Sequence, residues 1–443
     1  MENTITKGHE TGNRTGLIEQ NRFFASSLFV TCAGLFLLAF AIRVGLLLAT
    51  KSYLDREHSE LVLVATSLAQ GHGFANAFGD TGPTAHMSPV YPFLLSLIYR
   101  YFGTGTTGEV AQELFSCFLA SLTWGLIPLI GEVCGLDRRI GVFAAFIGAI
   151  LTINRWAETK GSSEAAMAGL ACLITFLCFM RCWYSRDFSL RAAALTGVIS
   201  GLAISISATL ASIVIGFLIA GFLLFHRASS RSYWRFASVC TLCIVATLSP
   251  WAIRNYFALG SLVWTRSNLP LELMVSNNDY AQPTLMHNEQ SGYRYHPFMS
   301  PFQRSLIKSM GEIAYQRKLR NEVFEWIGSH PQRFTMLTLE RIYYFWIPEM
   351  KRPIQTACLG FMFLTSIPAL IVLLRQHQLF AFGIVTIWLT YPAVYYVIQT
   401  HPRYVYPMQW TLYYLSSAGI IFLAAKLRAG GSIWPDSAAV SKR

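Results

Sequence analysis

Charged residues are scarce in this chain. They make up 13% of its 443 residues, about half the share a soluble globular protein carries, and that deficit excludes an ordinary water-soluble domain. A disulfide framework is missing too: the nine cysteines lie within or beside apolar runs, Cys172, Cys178 and Cys358 among them, as small packing residues do. Cys240 and Cys243 make a C-x-x-C by spacing alone, inside an apolar stretch without the turn that a redox or zinc site needs. There is no basic stripe. The formal net charge is +12, but Lys and Arg stand in short clusters between apolar runs, which excludes nucleic acid as a partner. Nor is there a cleavable signal, because the first apolar run, residues 23–50, is too long for a signal core and lacks a convincing small-residue cleavage site.

What the chain does have is apolar length. Hydrophobic residues make up 53% of it, and roughly 20 in a row suffice to cross a hydrocarbon core of about 30 Å. Apolar runs fall near residues 23–50, 110–133, 140–153, 164–180, 192–207, 210–225, 236–253, 354–374, 380–398 and 408–425. They predict an all-α polytopic membrane protein with about ten transmembrane helices in one domain, residues 23–426. The turn at 205–209 is weakly marked, and the stretch 192–225 is read as a tight hairpin. Residues 1–22 and 427–443 are expected to be cytoplasmic tails, the first of them flexible.

With the N-terminus inside, the clusters Arg138/Arg139, Arg181/Arg186/Arg191, Arg227/Arg231/Arg235, Arg375 and Lys426/Arg428 all fall on the cytoplasmic side, as the positive-inside rule requires. Two large loops, about 52–109 and 254–353, then lie on the other face and hold nearly all the non-membrane mass. Interfacial or surface helices are expected in them near 61–70, 91–102 and 313–327. The inverted repeat that marks many transporters is not evident.

Acidic chemistry gathers where the chain leaves the first span, at Asp55-Arg56-Glu57-His58-Ser59-Glu60. If the following helix extends back, Glu57 and Glu60 share a face; one carboxylate can then serve as a general base while its neighbour holds a hydroxyl or a cation. The alternative is a solvated acidic turn. Arg254 and Arg403 stand where spans meet the outer face, where a guanidinium binds phosphate bidentately or anchors the boundary by snorkelling. The short loop 154–163 carries Arg155, Glu158 and Lys160, and Glu164 opens the next helix. There Ser163 and Glu164 either cap that helix or, with Lys160, face a ligand. His58, His72 and His86 fall in the first outer loop at irregular spacing. They assign no metal set, and a divalent cation stays open as a cofactor. The aromatic run 343–346 fits an interfacial belt.

The order of short motifs then resembles a known family. Glu60 precedes Gly71-His72-Gly73-Phe74 by eleven residues, and Pro83-Thr84-Ala85 and Pro89-Val90-Tyr91-Pro92 follow. This is similar to the D-x-x-E-Y, G-x-G-F, P-T-A and P-x-Y-P series of the GT-C glycosyltransferases, specifically the family-39-like enzymes related to protein O-mannosyltransferases and lipid A aminoarabinose transferases. The series continues through Pro250-Trp251-Ala252-Ile253-Arg254-Asn255-Tyr256, Asn277-Asn278, Gly311-Glu312-Ile313-Ala314-Tyr315, His330-Pro331 and His401-Pro402-Arg403-Tyr404 to Pro407. Two positions depart from the pattern: Glu57 stands where the family has Asp, and Leu61 where it has Tyr.

The resemblance implies a GT-C fold and transfer of a monosaccharide, with inversion, from a polyprenyl-phosphate donor to a lipid, glycan or protein acceptor. It places the protein in a bacterial inner or plasma membrane, among membrane lipids, with its active site on the outer face. Glu57, or else Asp55, is the implied base, with Glu60 as an orienting carboxylate. Arg254, Asn255, Arg403, Lys160, Glu164 and His86 are the implied substrate-binding residues. The rival from another class is a transporter or lipid flippase, against which stands the near absence of charge within the spans.

Overall fold

The computed structural model describes residues 6–227, 230–291 and 295–428, with side chains from Ser27 onward. Residues 1–5 and 429–443 of the expected tails lie outside the described residues. Regular structure among the described residues is helical, with only three isolated bridges besides.

In chain order the helices are α1 (Thr6–Thr50), α2 (Glu60–Ala69), α3 (Val90–Phe102), α4 (Thr106–Leu126), α5 (Leu129–Cys134), α6 (Arg138–Ile150) and α7 (Arg155–Thr159). Then come α8 (Ala165–Ser185), α9 (Leu190–Ile206), α10 (Leu210–Phe225), α11 (Ser230–Leu259), α12 (Leu269–Ser276) and α13 (Leu285–Gln290). The last are α14 (Pro301–Met310), α15 (Glu312–Ser329), α16 (Pro331–Trp346), α17 (Pro353–Gln376), α18 (Gln378–Thr390), α19 (Ala393–Val397) and α20 (Pro402–Arg428).

Every expected apolar run is helical, but the runs are unequal in length. Among the described residues seven helical stretches are long and apolar enough to cross a bilayer: Ser27–Thr50, Thr106–Cys134, Ala165–Ser185, Arg231–Leu259, Pro353–Gln376, Gln378–Val397 and Pro402–Arg428. The other three are shorter, with 13 residues in α6, 17 in α9 and 16 in α10. The hairpin at 205–209 is real, its turn confined to residues 207–209. In the loops, α2, α3 and α15 form where amphipathic stretches stand. The first helix begins at Thr6, so helical backbone runs on through residues 6–22 as well.

Packing sorts these helices into two bodies of core. The larger draws on the spans, with Trp124, Phe176, Trp183, Phe217, Phe380 and Trp410 all buried. Small residues let these helices close up: a Cβ on Gly197 of α9 would lie 2.5 Å from the Cys240 carbonyl oxygen of α11, and one on Gly201 would lie 2.7 Å from Thr247. That four-residue spacing of glycines is how membrane helices gain dispersion contact without a hydrophobic driving force. The smaller core is a cap built from α2, α3, α12, α15 and the 74–87 loop, around Leu61, Tyr91, Leu95, Leu271 and Tyr315. Tyr406, at the start of α20, belongs to the cap core and joins it to the bundle.

Candidate active site

Between the cap and the bundle lies a cavity of about 660 Å³. Of the residues that the motifs single out, Glu57, Glu60, His86, Glu164 and Arg403 all line it, although they come from four separate stretches of chain. Asp55, Lys160, Arg254 and Asn255 are not among its lining residues.

Glu57 is held by the short loop before α8. The indole Nε1 of Trp156 donates to its Oε2 at 2.8 Å, and the Ser162 hydroxyl donates to the same oxygen at 2.7 Å. One carboxylate oxygen is thus fixed by two donors, while Oε1 has no protein donor among the described residues. Ser59 caps α2 by accepting from the Val62 amide and donates to the Ser162 carbonyl at 2.8 Å, so the two loops are laced together. Gly161 makes their approach possible. Its φ is +70°, and a Cβ there would lie 2.8 Å from the Gln112 carbonyl oxygen, so only glycine fits without strain.

Lys160 is fully committed in this lacing. Its ammonium has three protons to give, and it donates to the Ser52 carbonyl at 2.9 Å, to the Asp55 carbonyl and to Glu113 at 3.1 Å. Glu113 also accepts from the Ser52 hydroxyl at 2.5 Å, and Arg56 pairs with Glu109 at 3.4 Å. Lys160 therefore clamps the backbone of the acidic loop to α4. Asp55 contributes its carbonyl to that clamp, and its side chain is exposed.

Glu60, His86 and His296 also line the cavity. One ligand atom from each lies within 4.8 Å of the others, and the His296 Nδ1 to Glu60 distance is 3.7 Å. The edge of Phe78 meets both imidazoles, at 4.7 and 5.5 Å between centroids. His86 is 2% exposed, and its Nδ1 is buried without a hydrogen-bond partner. Burial first, then the charge of Arg266 and the neighbouring His296, holds that imidazole well below its ordinary pKa and so neutral. A neutral, unpartnered ring nitrogen beside a second imidazole and a carboxylate fits a divalent transition-metal ion. His296 sits in a loop far along the chain, with no local pattern to mark it.

Two guanidinium groups face the cavity. Arg266 pairs with Glu164 at 3.3 Å and donates to the His86 carbonyl at 2.9 Å. Arg403 has a different setting: among the described residues its side chain makes a single long hydrogen bond, 3.5 Å to the Tyr404 hydroxyl. It lies otherwise over the Trp156 and Tyr404 rings at 5.6 and 5.2 Å. Its donors are available to an anion in the cavity.

Arg254 is spent elsewhere. It donates to the Thr84 carbonyl at 2.7 Å, to the Phe74 carbonyl at 2.6 Å and to Asn255 at 2.9 Å. Asn255 in turn donates to the Val263 carbonyl at 2.8 Å. Glu312 grips the same loop from the other side, accepting from the Thr84 hydroxyl, from the Ala85 amide at 2.8 Å and from Ser267 at 2.7 Å. Burial raises the Glu312 pKa, and these three donors oppose the rise. The motifs around Arg254 and Glu312 thus support the loop that ends in His86.

No family profile matches this chain, and no curated protein matches its sequence. Solved structures do match in fold. One is the archaeal oligosaccharyltransferase AglB from Archaeoglobus fulgidus in complex with an inhibitory peptide and a dolichol-phosphate, with a TM-score of 0.55 at 12% identity over 90% of this chain. The Archaeoglobus fulgidus oligosaccharyltransferase tethered to an acceptor peptide containing the NVT sequon gives 0.51 at 14% identity over 90% of this chain. Its complex with Zn and sulfate gives 0.50 at 13% identity over 84%. The chain spans about half the length of these structures, between 45% and 51%. It is a multi-pass, all-α membrane protein with the GT-C fold.

Proposed function

We propose that this protein is a glycosyltransferase that moves a monosaccharide, with inversion, from a polyprenyl-phosphate carrier to an acceptor at the non-cytoplasmic face of a bacterial membrane. The observation that carries the reading is the cavity itself, where an oriented carboxylate and an uncommitted guanidinium meet at the end of the bundle away from the basic clusters. The fold it shares with oligosaccharyltransferases, one of them bound to dolichol-phosphate, supports the same chemistry. The acceptor is a lipid, a glycan or a protein.

In this mechanism the acceptor hydroxyl oxygen attacks the anomeric carbon, and the bond from that carbon to the phosphate oxygen breaks. Glu57 Oε1 takes the hydroxyl proton. The phosphate leaves with the bonding electrons and is held by Arg403, with Arg266 nearby. Glu60 and Glu164 face the sugar. Fixing Glu57 through Oε2 sets the direction of proton transfer before substrate arrives. A divalent cation held by Glu60, His86 and His296 would supply positive charge on the sugar side of the cavity. The Zn complex of the structural neighbour is in keeping with such a site.

The test is a reconstituted assay with a panel of polyprenyl-phosphate sugars, reading release of polyprenyl phosphate. Glu57→Gln combined with Asp55→Asn should abolish release while thermal unfolding in detergent stays unchanged. Full activity in that double variant sinks the assignment. A transporter would move the lipid across the bilayer without cleaving it, and the same assay separates the two.

A further inference from the structure

One charge is buried where a span should carry none. Arg43 lies in α1, seven residues before the helix ends at Thr50 and so roughly 10 Å from that end, and it is fully buried. Its partner is Glu158 of α7, 1% exposed, with Nη2 and Oε2 3.1 Å apart. The guanidinium also donates to the last turn of α6, to the Gly148 carbonyl at 3.2 Å and to that of Ala149 at 3.4 Å. A further bond goes to the Ala39 carbonyl of its own helix at 3.1 Å. Arg43 therefore holds both sides of the link between α6 and α7.

Such a pair is weak evidence for stability. Desolvating two charges offsets most of their attraction, and apolar residues of like volume commonly do as well. An ionisable group within a span is instead a pointer to function. Neither Arg43 nor Glu158 lines the cavity, so any part they take is exerted through what they hold.

What they hold is α7. With five residues, Arg155–Thr159, it is far too short to be stable by itself, and its place is set by the side chains around it. Ser116 of α4 donates to the Glu158 carbonyl at 3.1 Å. Asn154 donates at 2.8 Å to the carbonyl of Pro402, the residue before Arg403. Glu158 and Trp156 stand two apart, about 200° around a helix, so with Glu158 drawn to Arg43 the indole points the other way, to the acidic loop. There its N–H meets Glu57, and the Arg403 guanidinium lies over its ring. One indole thus touches the proposed base and the proposed phosphate ligand at once.

We infer that Arg43 is a positioning residue for the transfer reaction: through Glu158 it fixes the rotation of α7, and through Trp156 it sets Glu57 and Arg403 relative to each other. The inference rests on the roles proposed above for those two side chains. It gives the buried pair a geometric purpose that its small net contribution to stability does not supply.

A double-mutant cycle on turnover tests it, with the full protein in lipid nanodiscs. The probes are undecaprenyl-phosphate hexoses and pentoses, and carrier release is read. Arg43→Met with Glu158→Gln removes both charges together, so that neither is left buried alone. It should lower kcat about 10–10²-fold, the scale of a displaced reacting group. Trp156→Leu should cost as much, and adding it to the pair variant should cost less than about twofold more. If the two losses multiply, the pair acts on structure alone and the inference fails. Should the pair variant not fold, Arg43→Lys keeps the buried charge but not the fork that reaches α6 and Glu158 together. It should lose severalfold in kcat at an unchanged unfolding temperature, and the same cycle with Trp156→Leu decides. Hydrogen exchange in residues 154–159 needs no donor and should rise in either variant. If it rises while the wild type releases carrier from none of the probes, the tether stands and the donor reading fails. If it stays unchanged and the losses multiply, the tether fails and the donor reading stands.

Discussion

Two span ends look alike in sequence and behave differently in the fold. Arg254 closes α11 and Arg403 opens α20, each at the same boundary and each followed by a polar residue. Around Arg254 the 74–84 loop offers two backbone carbonyls within 2.7 Å, and both terminal nitrogens of the guanidinium are engaged. Both guanidinium groups lie over two rings, Arg254 over Phe74 and Trp251 at 5.5 and 5.1 Å and Arg403 over Trp156 and Tyr404 at 5.6 and 5.2 Å, contacts that consume no N–H groups; what Arg403 lacks, among the described residues, is a carbonyl acceptor. The difference teaches that a boundary arginine lying over aromatic faces becomes a clamp when backbone carbonyls are in reach and keeps its donors for an anion when they are not. Backbone acceptors, not the arginine, decide.

That comparison breaks if the two arginines fail in the same way. Arg403→Ala should lower carrier release about 10²–10³-fold, the loss typical of one transition-state donor, with little change in thermal unfolding. Lys160→Met leaves the buried Glu113 carboxylate unpaired and should cost about 3 kcal/mol. Hydrogen exchange should then rise in residues 52–57, the stretch that Lys160 holds. Arg254→Ala should cost about 2 kcal/mol in unfolding through loss of two charge-assisted bonds, and its effect on turnover should track the unfolded fraction. Ser162→Ala removes one of the two donors to Glu57 and should slow turnover only about fivefold, with donor KM unchanged.

The smallest effect sharpens the setting of Arg403. Its amide donates to His401 Nδ1 at 3.2 Å, which requires a neutral ring, and burial, then Arg403 and Lys351, push the His401 pKa from 6.5 down to about 3. The unfolded chain takes up a proton there near pH 6.5 and the folded chain does not. Stability is thus full above pH 6.5 and declines as pH falls toward 3. His401→Asn, which keeps an acceptor but does not titrate, should flatten that decline in melts across the acid range.

Much of this was legible beforehand, for identifiable reasons. Apolar runs report helices because a bilayer leaves the backbone no other partner, so each expected run is helical, though 110–133 and 380–398 are each broken into two helices. Their lengths were less legible, since packing inside a bundle lets α6, α9 and α10 be short. Glu57, Glu60, His86, Glu164 and Arg403 were named from motifs and meet in one cavity. Arg254, Asn255 and Lys160 were named by the same logic and lie outside its lining. Their partners come from the 74–84 loop, the Val263 carbonyl, α4 and the 52–55 backbone, and nothing local in the sequence announces a carbonyl in need of a donor. His296 and Arg266 carried no local signal, because the partners that give them meaning lie in residues 60–87 and at the start of α8. Glu312 stood in a recognised motif, but its work, holding the loop before His86, shows only in three dimensions.

The Lys160 clamp has a consequence for biogenesis. Its ammonium reaches back 108 residues to the Ser52 carbonyl and 105 to that of Asp55, and both Glu57 donors come from the same later loop. During synthesis the first acidic loop therefore emerges well before anything that can hold it. A chain truncated before residue 154 displays every carboxylate of the 55–60 cluster and has neither the Glu57 donors nor the clamp. The geometry of the cavity thus belongs to completed insertion: the Glu57 donors arrive with the 154–163 loop and Arg403 only with α20.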